Sequence, residues 1–478
     1  MRVFANKFSP APQSVTKWLL AAFFCSAVIL RVFLCWVNPP ANSFDDHFEP
    51  VFMIMLSGSI PPKDACFQCY HPPVFPVVSA VIGRAVLHAH PTLTQLAKTL
   101  QFVCCFYGIL TVGICYLILR KFPLSDFARL LSFGTVCFLP RHIYMSAMHS
   151  NDTMSYMFVA LSVYLAIIVF ERGFSVFGLA GLSVVLTAAI FTKYTDFVVL
   201  PMVVAAFATV WRNRLIASRK KVLISMAAML LLPVSFLTVD MVGNMRHYHS
   251  PLPWNVAMFD PTLHRPRDEG GISYLSFKPW EHVGSPLLVP GKMHSFWTLI
   301  YCGMWFDTEP YFPQFLDRNT DWWKHYWAWY RGEEVYPGDN PSPSRLMAVT
   351  GSGLITLGLV PLALVLAGFY YCVRGRWSAL MEATPTLRAA MNMFPVLAVF
   401  NAAGVIALTL RLPVYCSMKA SYFLDSMPAF MVFLGLGLML CEKNEVLKRG
   451  VLWAFGGLFA LASLHVVHLA MAIPPRSG

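Results

Sequence analysis

Apolar stretches of about 20 residues recur along the whole chain, near 18–38, 99–119, 128–146, 153–170, 175–192, 195–211, 222–242, 346–372, 389–410, 421–441 and 450–472. A helix of that length crosses the roughly 30 Å of hydrocarbon in a bilayer. Inside lipid each backbone amide must find a partner within the protein, which leaves helices or a closed barrel, and unbroken apolar runs without alternation exclude the barrel. The reading is an all-α polytopic membrane protein with about eleven transmembrane helices. Only 13% of the residues are charged, against about 25% in soluble domains, which excludes a soluble enzyme. The first run is too long for the apolar part of a signal peptide and no small-residue cleavage pattern follows it, so it is the first span.

Charge sets the orientation. Arg212, Arg214, Arg219, Lys220 and Lys221 form a basic loop without an acid, and Arg2, Lys7 and Lys17 mark the N-terminus; both belong on the cytoplasmic side. The segment His71 to Leu87 is apolar, but counting it as a crossing would put those clusters on opposite sides. It is therefore expected to be a juxtamembrane helix lying on the outer surface. With that assignment the whole excess of +12 falls in cytoplasmic segments, and nucleic acid is not needed as a partner to explain it. Two long outer segments remain, 39–98 and 243–345, and connections of that length are where chemistry concentrates. The chain thus divides into a transmembrane module over 1–242 carrying the first outer loop, an outer segment over 243–345, and C-terminal helices over 346–478.

The first outer loop opens on Asn42-Ser43-Phe44-Asp45-Asp46-His47. Adjacent carboxylates at a membrane surface suit a general base or a metal site, while a plain solvated loop with a helix cap accounts for them equally. Cys66-Phe67-Gln68-Cys69 follows, and without a second such pair it is a local disulfide or two free thiols rather than a zinc site. Tyr70-His71-Pro72-Pro73 then enters the surface helix, with His71 also a substrate ligand candidate. Ser150-Asn151-Asp152 ends the third crossing on the outer side, and Thr192-Lys193-Tyr194-Thr195-Asp196 joins the fifth and sixth. Charges at such places are costly and are functional candidates by default. Lys193 either holds a lipid phosphate or snorkels to the headgroups. Arg411 and Lys419 flank the last outer hairpin, followed by Tyr422, and can add positive charge to the same place. Arg31, inside the first span, needs a carboxylate partner or a route to the headgroups. The aromatic run from Phe296 to Tyr330 either stacks on sugars or sits at the interface, with Asp307 and Glu309 as further substrate contacts.

The order of these features resembles the GT-C glycosyltransferases: an acidic pair after the first span, Tyr70-His71-Pro72-Pro73, Ser150-Asn151-Asp152-Thr153, and Thr192-Lys193-Tyr194. The chain looks most like the family 39-type branch that holds protein O-mannosyltransferases and lipid A aminoarabinose transferases. The likeness covers about the first 200 residues, and later only Ser421-Tyr422-Phe423-Leu424 with Pro428-Ala429. It implies an inverting transfer of a sugar from a polyprenyl-phosphate carrier to a protein, lipid or glycan acceptor at the outer or lumenal face of a bacterial plasma membrane or an endoplasmic reticulum. In the family the first-loop acid is the general base or a substrate ligand; here the pair is Asp45 and Asp46 rather than Asp-Glu, which leaves open which of the two is catalytic. The same resemblance makes Asp152 a second outer acid and Lys193 the carrier-phosphate lysine, with Arg411 and Lys419 in support and His47, Tyr70, His71, Asn151, Tyr194 and Tyr422 as substrate contacts. No cofactor is demanded, though a divalent cation is compatible with the acids. The rival classes are a flippase of lipid-linked sugars, which calls for midplane charges and broken helices, and an outer-face glycan ligase or polymerase.

Overall fold

The computed structural model describes residues 13–40, 42, 47–213, 217–254, 271–286, 292, 295–308, 345–382, 384–411 and 418–472. These fold as α1 (Gln13–Val37), α2 (Phe48–Ser57), α3 (Val74–Leu87), α4 (Leu93–Leu119), α5 (Asp126–Phe138), α6 (Pro140–Ser146), α7 (Asn151–Arg172), α8 (Val176–Thr192), α9 (Val199–Asn213), α10 (Arg219–Tyr248), α11 (Phe296–Trp305), α12 (Arg345–Leu357), α13 (Leu359–Val373), α14 (Pro385–Arg411), α15 (Met427–Cys441) and α16 (Glu445–Ala472). Short 3-10 turns add to them, and no strand occurs among the described residues. Hydroxyl side chains start many of the helices. Ser125, Ser150, Ser175, Ser218 and Ser295 each accept a backbone N–H of the first turn, and Thr92 and Gln95 form a reciprocal capping box for α4.

Nine helical stretches among the described residues are long and apolar enough to cross a membrane. The other two expected crossings fold as shorter pieces. The 128–146 run breaks at Leu139 and Pro140 into α5 and α6, because proline supplies no N–H to the ladder. The 175–192 run becomes the 17 residues of α8, roughly 25 Å at 1.5 Å per residue. The loop after α1 carries two short helices, α2 and α3, packed on each other around Phe48, Val51, Ile54 and Ala80, so a helix forms where the juxtamembrane one is expected.

α7 and the Ala420–Cys441 stretch are the most enclosed of the long helices, and they carry much of the candidate site. α13 packs on α15 through backbone approach. A Cβ at Gly368 would stand 1.8 Å from the Phe433 carbonyl oxygen, and one at Gly437 2.2 Å from that of Leu364. Neither backbone can yield as a side-chain tip does. Gly368→Ala is therefore expected to destabilise the protein by about 1–3 kcal/mol, the usual cost of overpacking, read as a lowered melting temperature in detergent; an unchanged melt would mean these helices are free to separate.

Arg31 is fully buried, but it finds neither the carboxylate nor the headgroups expected of it. Its guanidinium donates to the carbonyls of Ala27 (3.0 Å), Cys137 (3.0 Å) and Val136 (3.3 Å) and meets His142 Nδ1 at 2.7 Å. Val136 is four residues before Pro140, so its carbonyl is the one deprived of a helical donor by the proline. The arginine supplies that missing donor. Most cysteines behave as small hydrophobes: of the free ones described, all but Cys25 are buried.

Candidate functional site

The features expected from the first loop, from the start of α7 and from the end of α8 meet at one end of the helix bundle. Lys193 caps α8 in an extended conformation and forms an ion pair with Asp152 in the first turn of α7, both side chains nearly inaccessible. Its ammonium lies 4.6 Å from the centroid of the Tyr422 ring, within cation–π reach. Burial opposes the charge on Lys193, but Asp152, Asp425 and Tyr422 outweigh it and hold the pKa above the ordinary lysine value. Lys193 is therefore a buried, protonated cation and not a snorkelling one.

Asp152 also accepts from the hydroxyl of Ser150 at 3.1 Å. One turn further along α7, Ser155 Oγ reaches Asp196 Oδ1 at 2.7 Å and Asp425 Oδ1 at 2.8 Å. Tyr156 donates to the Ser421 carbonyl at 2.9 Å. The turn Ala420–Ser426 is thus held against α7 by side chains on both of its arms. Asn401 of α14 secures it from the far side, donating to the Tyr422 carbonyl at 3.0 Å and to Ser426 Oγ at 2.9 Å.

Histidines line the neighbouring wall. His47 and His71 are 5.2 Å apart between ring centroids, Tyr70 lies 4.0 Å from His71, and His149 stacks on Phe48 at 4.2 Å with Phe75 at 5.0 Å. Burial, then His47, Lys193, Lys419 and Lys63, hold the His71 pKa well below the ordinary imidazole value. Burial and His47 do the same for His149, neither of whose ring nitrogens has a hydrogen-bond partner among the described residues. Both rings are neutral at neutral pH. The loop into this wall is closed by a disulfide between Cys66 and Cys69. Where the chain leaves α1, Lys98 donates to the Cys35 carbonyl at 2.8 Å, and Gln101 to the carbonyls of Pro39 (2.8 Å) and Asn42 (3.0 Å).

A second network adjoins the first. Lys63 pairs with Asp240 of α10 at 3.1 Å and donates to the Tyr194 hydroxyl; that hydroxyl donates to Asp240 at 2.6 Å, and Asn244 to the same carboxylate at 2.9 Å.

Of the residues expected at the site, His47, His71, Asp152, Lys193 and Tyr422 come together directly, with Tyr70 beside His71 and Lys419 within electrostatic reach of it. Tyr194 turns to the Lys63 and Asp240 network. Asn151 is buried in the first turn of α7, its Nδ2 lacking a partner among the described residues. Asp45 and Asp46 lie outside the described residues, as do the Arg411 side chain and Glu309. Asp307 is buried and paired with Arg141 at 3.4 Å, and the described part of the aromatic run, Phe296 to Phe306, packs inside the protein. Lys63, Ser155, Asp240 and Asp425 escaped the sequence reading. Asp240 and Asp425 did carry a signal, an acid near the end of an apolar run; Ser155 carried none.

The same turn that brings Tyr422 and Asp425 to the polar cluster sends Phe423 and Leu424 to the wall of an apolar groove. Its volume is about 480 Å³ and it runs between α5, α11, α13 and α15, with Trp297, Trp305, Leu362 and Met431 among its lining. Volume and lining are those of a site for an extended apolar ligand.

A family model described as dolichyl-phosphate-mannose-protein mannosyltransferase matches residues 94–247, about a third of the chain and the part that holds α4 to α10. No curated protein matches the chain. Among solved structures, the oligosaccharyltransferase of Archaeoglobus fulgidus overlays with a TM-score of 0.51 in its apo form, at 12% identity over 97% of this chain. The same protein, AglB, in complex with an inhibitory peptide and a dolichol-phosphate gives a TM-score of 0.52 at 13% identity. In both cases this chain spans 57% of the archaeal protein's length. ArnT from Cupriavidus metallidurans overlays more loosely, with a TM-score of 0.36 at 17% identity over 89% of this chain and 78% of that one. The chain thus shares its fold with the archaeal oligosaccharyltransferase, and the family model that its residues 94–247 match describes a mannosyltransferase.

Proposed function

We propose that the protein is a membrane glycosyltransferase that moves a sugar from a polyprenyl-phosphate carrier to an acceptor hydroxyl. One observation carries this reading: a single turn, Ala420–Ser426, places an aromatic ring under a buried, protonated lysine on one side and lines an apolar groove on the other. A ligand with an anionic head and a hydrocarbon tail fits that combination. The A. fulgidus protein of the same fold has a solved structure in complex with an inhibitory peptide and a dolichol-phosphate, in keeping with this substrate class.

The chemistry follows from the charges. The acceptor oxygen bonds to the anomeric carbon as the bond from that carbon to the carrier phosphate breaks, and the configuration inverts. The acceptor proton passes to a carboxylate, for which Asp45 and Asp46 are the candidates; His47, the residue directly after them, stands at the histidine wall. The phosphate leaves with additional negative charge, and Lys193, supported by Lys419, stabilises that charge more in the transition state than in the diester. Neutral His71 and His149 can hydrogen-bond sugar hydroxyls without adding charge.

The test is transfer from a panel of radiolabelled polyprenyl-phosphate sugars by the purified protein in lipid, with Asp45→Asn/Asp46→Asn for comparison. Label moved to an acceptor extract by the parent and not by the double variant is the expected outcome. A carrier that binds yet stays intact across the panel would make the protein a transporter of lipid-linked sugar.

A further inference from the structure

Ser155 stands between two buried acids. Its Oγ is 2.7 Å from Asp196 Oδ1 and 2.8 Å from Asp425 Oδ1, both hydrogen-bond distances, and all three residues are essentially inaccessible. A serine hydroxyl has one hydrogen to donate, whereas an ionised carboxylate only accepts. If both acids were ionised, Ser155 would donate to one and face the other lone pair to lone pair. Asp196 Oδ2, moreover, has no hydrogen-bond partner among the described residues.

The surroundings do not supply the missing positive charge. Lys193 is the cation that acts electrostatically on both acids, and it is already engaged with Asp152. Tyr156 faces the same pocket and donates to a carbonyl, Tyr422 offers its ring to Lys193, and Arg141, beyond Tyr156, is paired with Asp307. Three ionised carboxylates around one lysine would leave strong negative charge in a dry pocket, which is costly. A multivalent cation is poorly served, since no group of three or more His, Cys, Asp or Glu side chains among the described residues is arranged to hold a metal.

We propose that Asp196 and Asp425 hold one proton between them, bridged by Ser155, and that this acid–carboxylate pair is a positioning unit for Lys193. The protonated carboxyl donates to Ser155 Oγ, Ser155 donates to the ionised partner, and each short contact then has its hydrogen. Three segments of chain are tied by this bridge: α7, the turn Tyr194–Val198 and the turn Ala420–Ser426. The shared proton cuts the carboxylate charge facing the Lys193 ammonium from three to two, that of Asp152 and of one member of the pair, so that an anionic head group meets less repulsion there. This role rests on the reading of Lys193 as the phosphate-binding residue.

The experiment is infrared difference spectroscopy of the full-length protein in lipid at neutral pH, in H₂O and D₂O, on the parent, Asp196→Asn and Asp425→Asn, with binding of a short-chain polyprenyl phosphate measured on the same samples. The parent should show a protonated-carboxyl stretch that shifts in D₂O. Each single variant should lose it, because the asparagine amide donates to Ser155 in place of the acid and the remaining carboxyl ionises. A merely structural acid pair with both groups ionised would show no such band in the parent, and that result overturns the proposal. So would a band that survives in both variants, or melting of the parent that drops on chelation, which would put a cation where the proton is assigned. The band reports the shared proton whether or not a carrier binds, so a parent with the band and no affinity for the polyprenyl phosphate refutes the Lys193 reading alone.

Discussion

Lys193→Met should abolish carrier binding and, by itself, destabilise the protein by about 3–5 kcal/mol, the usual cost of stranding one member of a buried ion pair. The stranded group is Asp152, whose side chain is enclosed and whose ion-pair partner among the described residues is Lys193. Adding Asp152→Asn should restore part of the melting temperature, because the double variant no longer strands the Asp152 carboxylate. It should not restore transfer, since the positive charge opposite the departing phosphate is still missing; the expected loss is roughly 100-fold or more, as for removal of one electrostatic stabiliser of a transition state. Melting curves and transfer rates measured on both variants therefore separate the two roles. Recovery of activity in the double variant would reduce Lys193 to a structural counter-ion. The raised pKa of Lys193 adds a sign: its contribution to stability is fully present below the unfolded value of about 10.4 and is lost only as pH rises through the still higher folded value. The pair should thus be insensitive to pH across the neutral range.

Arg31→Met should be comparably damaging for a different reason. The guanidinium serves three carbonyls and His142 in a fully buried place. Its loss strands the Val136 and Cys137 carbonyls at the end of α5, at about 1–3 kcal/mol each, so roughly 2–6 kcal/mol in all. Arg31→Lys should recover only part, because an ammonium cannot reach several acceptors with a planar fork. Because Pro140 creates the need, Pro140→Ala should lessen the effect of Arg31→Met: an alanine N–H can bond to the Val136 carbonyl and continue the helix. A double-mutant cycle on melting temperature reads that coupling, and strict additivity would disprove the link between the proline and the arginine.

The two cases also show what a sequence discloses here. Apolar runs give the helices, since lipid leaves the backbone few alternatives, and the apolar segment His71 to Leu87 holds the helix Val74–Leu87. Asp152, Lys193, His47, His71 and Tyr422 were legible because polar groups at helix ends stand out against apolar surroundings. Tyr194 was assigned to the same cluster, yet its hydroxyl is drawn to Lys63 and Asp240, partners some 130 and 46 positions distant along the chain that no local pattern reveals. Arg31 calls for an acid or the headgroups on local pattern, whereas its partners are carbonyls, one of them freed by a proline more than 100 residues away. Asp196, Asp425 and Ser155 meet only through packing of α7 against two turns, and their shared bridge follows from counting hydrogens in three dimensions.

The central claim, that Lys193 receives the phosphate of a polyprenyl carrier, is tested most directly by phosphorus NMR of a short-chain polyprenyl phosphate added to the protein in lipid nanodiscs. A shifted, broadened bound signal is expected with the parent, and only the free signal with Lys193→Met/Asp152→Asn. An identical bound signal with that double variant would contradict it, and the carrier's head group would then have to be sought elsewhere in the protein.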